Sequence, residues 1–524
     1  MARVRVGIDV GSTHTDSVAV DERGNVLATV KARTTPDVTT GIIESLRKLL
    51  DTKAFAIDEV AAVMFGTTHV LNAIVQRRGL GKVGVIRIGA PATTAIDPML
   101  DWPADLRNAV GNLKVIVNGG HEYTGEEIAP LDEDGVKRAA KAFAKAGVEA
   151  VAITGVFSIV NPNHELRARE IVAEELPNVP IVLSHEIGSM GLLERENASI
   201  LNAATIGVMK RTIESLKKSL ASLGIEDVPM YFAQNDGTTA KSEFIEKYPV
   251  FTVVAPISNS IRGAYVLTGI PDAVVVDTGG TTSNVGVLTK GYPREALEVE
   301  IGGVRTNIRS PDVVAVGVAG GSVVSVGPDG SVKVGPVSVG YELIEKGIAW
   351  GGDVLTATDV ALAKGVMRID DPHCDPERPA KLVSKEVIDV AYDYMVRSVE
   401  EAIDKVKTSA EPITVILVGG GSLMWPRRLR GAKEVIRPEH AQSANALGAA
   451  TALVGSVVEK AFSYDHVTRE EAIRIASDEA KQKAVEAGAD PASIEVAEAE
   501  EIALPYLPGN AVKVRVKAVG KLKL

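Results

Sequence analysis

The sequence predicts an α/β protein of two lobes, each opening on a β-meander, with an α/β insertion and a small α+β region at the C-terminal end. Three observations carry this expectation. Runs of β-branched residues alternate with amphipathic helical patterns along most of the 524 residues. Two stretches, Gly7 to Asp16 and Val274 to Val287, share one chemistry: a strand ending in a carboxylate, a glycine- and hydroxyl-rich turn, and an alternating return strand. The 45% hydrophobic content exceeds what one small core needs, so two to four domains are expected.

In chain order, residues 4–9 and 16–20 alternate around Gly11-Ser12-Thr13-His14-Thr15, and a second turn at 21–24 leads into a strand over 26–32, which completes a meander. Ile42, Ile43, Leu46, Leu49 and Leu50 recur at helical spacing after Pro36-Asp37. A buried strand over 61–65 ends at Gly66-Thr67-Thr68, where Thr67 or Thr68 is suited to cap a helix running through Arg77. Another strand covers 83–88, and 90–130 is loop-rich. The pattern then gives helix 132–146, strand 150–156, helix 161–176, strand 180–183 and helical sequence over 190–223.

Strands are expected over 230–234 and 251–254, a helix over 259–267, the second hairpin, and meandering strands over 313–339 with a Gly-Pro-Asp-Gly turn at 327–330. Helices follow over 355–365, 384–409 and 442–461 around a strand at 414–418, and a helix over 468–487 precedes short strands at 494–496 and 512–516. The expected divisions are a first lobe over 1–90, its remainder or insertion over 91–190, a second lobe over 191–460 and a small appendage over 461–524.

The net charge of −11, from 57 basic against 68 acidic residues, argues against a polyanion-binding surface, so nucleic acid is not an expected partner. The single Cys374 excludes an internal disulfide framework, suits a reducing cytoplasm, and sits in an acidic Asp-Pro-His-Cys-Asp-Pro setting that raises a thiol pKa. The first residues enter a strand directly, and no apolar run approaches the ~20 residues of a membrane span. A soluble, cytoplasmic protein without a membrane partner is expected.

The turn chemistry points to phosphate. Paired glycines let backbone N–H groups close on an anion, and hydroxyls add donors. Asp9 or Asp277 faces a phosphate only through a cation, which makes both candidate metal-organising acids. Val418-Gly419-Gly420-Gly421-Ser422, after an apolar strand, offers bare backbone to a flat ligand, and Val318-Ala319-Gly320-Gly321-Ser322 has the same character.

The two Asp-x-Gly hairpins with the late Gly-Gly-Gly-Ser resemble the actin, sugar kinase and heat-shock 70 ATPase superfamily. More narrowly, the chain resembles the hydantoinase/oxoprolinase family, A-subunit type, through Gly66-Thr67-Thr68-His69-Val70-Leu71-Asn72-Ala73, Pro130-Leu131-Asp132-Glu133-Asp134 and Asn161-Pro162-Asn163-His164-Glu165. Ser184-His185-Glu186, Glu194-Arg195 with Asn202-Ala203, Asp277-Thr278-Gly279-Gly280-Thr281 and Gly320-Gly321-Ser322 extend the match, which spans residues 4 to about 450. Two stretches depart from it: His14 stands in the first loop where the family usually shows a second glycine and a phenylalanine, and Ala255-Pro256-Ile257-Ser258-Asn259-Ser260 replaces a Ser-Gly-Pro-Ala stretch.

The resemblance implies two actin-like ATPase lobes with an ATP cleft between them, and ATP-dependent hydrolysis of a hydantoin, 5-oxoproline or similar lactam. The amide oxygen is phosphorylated and water then attacks the activated carbon. It assigns Asp9 and Asp277 to catalysis and to Mg²⁺, and Gly11, Ser12, Thr13, Gly279, Gly280, Thr281 and Thr282 to the ATP phosphates. Gly419, Gly420, Gly421 and Ser422 fall to adenosine; His14, Thr15, Asp16, Thr67, Thr68, His69 and Arg305 are candidates for the substrate side. His69, His164 and His185 also sit at helix starts or strand ends, where capping and packing are ordinary roles. Arg305 and Arg309 read equally as exposed strand charges, and Glu194-Arg195 as a structural ion pair. A B-type partner subunit and a homo-oligomer are compatible with the resemblance. The alternatives are a small-molecule kinase that stops at phosphoryl transfer and a nucleotide-driven switch or filament protein.

Overall fold

The computed structural model describes residues 3–11, 14–33, 38–296 and 298–524. Val4–Val10, His14–Val20 and Val26–Arg33 form the expected antiparallel meander. It is the edge of a sheet that contains nine strands among the described residues. Val4–Val10 pairs in parallel with Val60–Gly66, which pairs in parallel with Met230–Ala233. Burial explains the composition: Val4, Val6, Ile8, Val63, Met64, Phe65 and Phe232 join one core.

The far half of this sheet differs from the sequence expectation. Residues 442–461 divide into a short helix, Ala444–Thr451, and a strand, Val454–Ser463. That strand pairs along its whole length with Ala511–Gly520, which pairs in turn with Glu495–Ala503. Val457, Val458 and Phe462 can satisfy a helical spacing, but the distant strand supplies the backbone partners. The C-terminal strands therefore extend the same sheet as residues 4–10, and Met230–Ala233 also lies in it. Residues 251–254 are not a strand: a 3-10 turn, Pro249–Thr252, leads into the helix Ala255–Thr268, four residues longer at its start than expected. A four-residue apolar run does not distinguish strand from buried helix entry.

Val83–Ala90, Leu113–Asn118, Ala150–Gly155 and Ile181–Leu183 form a separate parallel sheet with its own core around Ile86, Val151, Ile153 and Phe143. The helix Leu192–Ser222 runs beneath both sheets, with Arg195 to Thr205 continuously buried.

The second hairpin, Ala273–Thr278 and Ser283–Thr289, pairs in parallel with Ile413–Val418 and builds a second large sheet. Between the two large sheets, Ala444–Thr451 crosses Ala255–Thr268 where Gly448 faces the Asn259 carbonyl and Gly263 faces Ala444, contacts too close for a Cβ. This crossing brings the two hairpins to a common site.

Candidate nucleotide site

Each hairpin turn is closed by the same bond. Gly11 N–H donates to the His14 carbonyl at 3.0 Å, and Gly279 N–H donates to the Thr282 carbonyl at 3.0 Å. In register, Asp9 stands opposite Asp16, and Asp277 opposite Asn284. Ser12 and Thr13 lie outside the described residues.

The glycine segments gather on the second turn. Gly320 and Gly321 N–H groups donate to the Gly279 and Gly280 carbonyls at 3.2 and 2.8 Å, and Gly421 N–H donates to the Thr278 carbonyl at 2.8 Å. Gly419 has φ +83°, which suits glycine, and a Cβ there would collide with Asp277. Trp425 Nε1 donates to Thr278 Oγ1 at 2.7 Å and braces the turn from behind. Gly279 and Thr282 are exposed, whereas Ser422 is buried.

Asp9 and Asp16 are buried and Asp277 is partly so. Burial pushes the Asp9 carboxyl well above its ordinary range, and the charges of Asp16 and Asp277 push it further, against Lys31. Burial likewise raises Asp16, against the Lys31 charge and hydrogen bond. It raises Asp277 too, where a hydrogen bond from Ser260 opposes and the Asp16 charge adds. Lys31 Nζ lies 2.8 Å from Asp16 Oδ1. Ser260 Oγ donates to Asp277 Oδ2 at 2.5 Å and meets the Asn445 amide on its other side.

Asp9 Oδ1 and both amide atoms of Asn259 are buried without a hydrogen-bond partner among the described residues. They converge over Gly66: an added Cβ there would lie 2.6 Å from Asp9 Oδ1 and 2.8 Å from Asn259 Nδ2. Orphaned polar atoms and crowded carboxylates with one nearby cation fit a hydrated divalent ion, since Mg²⁺ takes one or two carboxylates and keeps its waters. The sequence carried no signal for Asn259 beyond its departure from the family stretch, because its neighbours Asp9 and Gly66 lie about two hundred residues away in the chain.

The substrate-side candidates divide. Thr67 is buried beside the same strand end; its hydroxyl bonds His69 Nδ1 and accepts the His69 backbone N–H at 3.2 Å. Thr68 stands at the helix cap but its hydroxyl oxygen accepts from Asn72 Nδ2 at 3.2 Å, and Thr67 takes the first free N–H instead. Burial lowers the His69 pKa. Thr15 is buried and His14 exposed. Arg305 is an exposed residue opposite Glu300 in a small two-stranded ribbon.

Arg195 does not pair with Glu194; it donates to Ser184 Oγ, the Ser189 carbonyl and the Gly155 carbonyl. Arg309 is not an exposed charge: it bridges Glu295 and Glu459. His121, Glu127 and His164 lie within 4.8 Å of one another. His164 Nδ1 accepts from Gly120 N–H at 3.0 Å, which leaves Nε2 as the proton-bearing nitrogen toward Glu127 at 3.1 Å. His164 and Glu127 are thus a hydrogen-bonded pair with the His121 ring packed on His164 at 4.3 Å between centroids, and His164 is not set as a metal ligand, because the lone pair a metal needs is turned to Gly120. Burial and the neighbouring acids Asp371, Asp359 and Asp375 raise the Cys374 thiol, as expected from its acidic setting. Among the described residues no helix is long and apolar enough to cross a membrane.

Two facing hairpins on paired sheets define a two-lobed α/β chain of the fold seen in the crystal structure of ATP-dependent caprolactamase from Pseudomonas jessenii. The TM-score to that structure is 0.78 at 22% identity, over 99% of this chain and 88% of that one. Residues 5–176 match the hydantoinase/oxoprolinase N-terminal region and residues 195–376 match the hydantoinase/oxoprolinase model, so the chain belongs to that family. It is 31% identical over 389 residues to caprolactamase subunit alpha of Pseudomonas jessenii, covering 69% of this chain and 54% of that protein. It is 27% identical over 405 residues to the acetophenone carboxylase gamma subunit of Aromatoleum aromaticum, covering 70% and 53%. The chain thus spans about half the length of these two relatives.

Proposed function

We propose that the chain is the nucleotide-binding component of an ATP-dependent enzyme that opens a cyclic amide. The observation that carries this reading is the pair of identically closed hairpins, with Asp9 and Asp277 at corresponding positions and Asp9 beside an Asn259 amide that has no partner among the described residues. Their turns present backbone N–H groups and hydroxyls to the phosphates of ATP, and Gly419 to Ser422 border adenosine. Bound Mg²⁺ supplies charge neutralisation on the transferring phosphoryl group.

A lactam carbonyl is a poor electrophile because amide resonance ties up the nitrogen lone pair. Moving the γ-phosphoryl group to the amide oxygen removes that resistance; water then adds at carbon, the C–N bond breaks, and ADP, phosphate and the ring-opened amino acid result. The chain's contribution is positioning: Asp9 and Asp277 would hold the cation or its waters, Ser260 fixes Asp277, Lys31 fixes the neighbouring Asp16, and Thr67 orients His69 beside the same strand end. Relatives named as subunits support a partner chain that completes hydrolysis.

The likeness to an acetophenone carboxylase subunit favours a second reading, in which the same site activates a substrate for carboxylation. Assays of ADP, phosphate and organic product with hydantoin, 5-oxoproline and a simple lactam separate the two, with and without bicarbonate and an acetophenone-type ketone. Ring-opened acid formed with ADP supports hydrolysis. A stable phosphorylated product indicates a kinase, and ATP turnover indifferent to every small molecule indicates a switch protein.

A further inference from the structure

A cavity of about 150 Å³, lined by no residue of either hairpin, lies at the carboxyl ends of three strands. Ser158 to Pro162 follow the strand Ala150–Gly155, His185 and Glu186 follow Ile181–Leu183, and Gln234 to Asp236 follow Met230–Ala233. Loops at the carboxyl ends of strands are where open α/β sheets bind ligands. The volume matches roughly one benzene-sized ring.

His185 on its wall is held as a proton acceptor. Glu165, fully buried, takes His185 Nδ1–H at 2.5 Å, so the free lone pair is on Nε2, which makes no hydrogen bond. The carboxylate is itself fixed by Gly155 N–H at 2.7 Å and Ser184 Oγ at 2.5 Å, and Arg195 Nε holds Ser184 Oγ at 3.0 Å. Burial pushes the Glu165 carboxyl up, but the His185 and Ser184 hydrogen bonds and the Arg195 charge outweigh it and leave it below its ordinary range. A buried ionised acid behind an imidazole fixes its tautomer and aims the other nitrogen outward.

The rest of the wall selects against anions. Phe244, Tyr248 and Phe251 form an aromatic corner with ring centroids 4.9 to 6.5 Å apart. Of the lining carboxylates, Asp236 and Glu459 pair with Lys517 and Lys513 and Glu479 with two lysines, which leaves Glu186 and Glu486 as the carboxylates without an ion pair among the described residues. The lining cations are already engaged: Arg309 with Glu295 and Glu459, and Lys460 and Lys483 with Glu479 at 2.6 and 3.4 Å. A ligand carboxylate entering here would meet excess negative charge and no unengaged cation among the described residues.

We propose that this cavity is a second small-molecule site, in which His185 Nε2 accepts a hydrogen bond from an N–H of an uncharged, ring-sized ligand stacked against the aromatic corner. That the ring is a cyclic amide rests on the proposed function; the site itself does not. 2-Pyrrolidinone and 5-oxoproline form a matched pair of probes, one lactam ring without and with a carboxylate. Calorimetric titration of the full chain without nucleotide is expected to give at least ~10-fold tighter binding of 2-pyrrolidinone, and His185→Phe, which keeps the ring but not the acceptor, to weaken it by ~10-fold. Circular dichroism and the thermal midpoint of His185→Phe verify that it folds; should it not, Ser158→Leu, which adds bulk to the cavity wall, is expected to abolish the binding instead. Equal or tighter binding of 5-oxoproline, no binding of either probe, or binding unchanged in the folded variants overturns the proposal. These outcomes are separable from the proposed reaction: ATP turnover stimulated by a lactam while the cavity stays empty leaves that reaction standing, and a filled cavity with no lactam-stimulated turnover removes the reaction and keeps the site.

Discussion

Asp277 occupies in the second hairpin the place that Asp9 occupies in the first: each stands two residues before a glycine whose N–H closes the turn on the carbonyl three residues on. Across the hairpin, however, Asp9 faces a carboxylate, Asp16, whereas Asp277 faces the neutral Asn284. The first hairpin therefore carries the greater charge strain, and Lys31 is placed on it.

The isosteric Asp277→Asn keeps the Ser260 contact available while removing one charge of the cluster. Turnover is expected to fall by at least ~10²-fold through loss of metal organisation, with the fold intact by circular dichroism. Unchanged ATPase in that variant removes Asp277 from the mechanism.

The raised carboxyls set a pH dependence of stability. Asp9 and Asp277 titrate higher folded than unfolded, so the stability they contribute is full below the ordinary carboxylate range of about 4 and is lost as pH rises through their raised folded values. Nucleotide-free protein should lose thermal stability from this source as pH rises, Asp9→Asn should lose less, and Mg²⁺ with ATP should restore it. A thermal-shift series in which Asp9→Asn tracks the native chain at every pH contradicts this.

Arg87 and Glu196 form a fully buried pair, with Arg87 Nε and Nη2 at 2.8 and 2.5 Å from the two carboxylate oxygens. Glu196→Ala leaves an uncompensated buried guanidinium and is expected to cost about 3–5 kcal/mol. Replacing both residues together with apolar ones of similar volume should recover most of it. Denaturant melts of the single and double variants measure the difference.

Trp425 touches the hairpin through Thr278 and follows the glycine segment assigned to adenosine. Nucleotide binding should change tryptophan emission, and Trp425→Phe should abolish that change while Trp102→Phe and Trp350→Phe retain it.

The hairpins were legible because everything that makes them is local: β-branched residues, a carboxylate, then glycines and hydroxyls within about ten residues. Their convergence with residues 318–322 and 419–422 was signalled only by shared composition, and backbone bonds over long separations make it. What escaped was decided far away in sequence. Val454–Ser463 is a strand because Ala511–Gly520 pairs with it, and a helical spacing of valines and alanines looks the same without that partner. Glu165 gave no sign of its role since Gly155 reaches it from one element and Ser184 and His185 from another, and Asn259 matters through what it leaves unbonded.

The central claim, that the two hairpins jointly hold Mg²⁺ and ATP, is tested most directly by titrating ATP into the native chain, Asp9→Asn and Asp277→Asn, each with Mg²⁺ and with chelator. One ATP per chain, bound at least ~10-fold more tightly with Mg²⁺ in the native protein and with that advantage lost in both variants, is the predicted result. Binding that ignores Mg²⁺ and both substitutions, or no ATP binding at all, contradicts it.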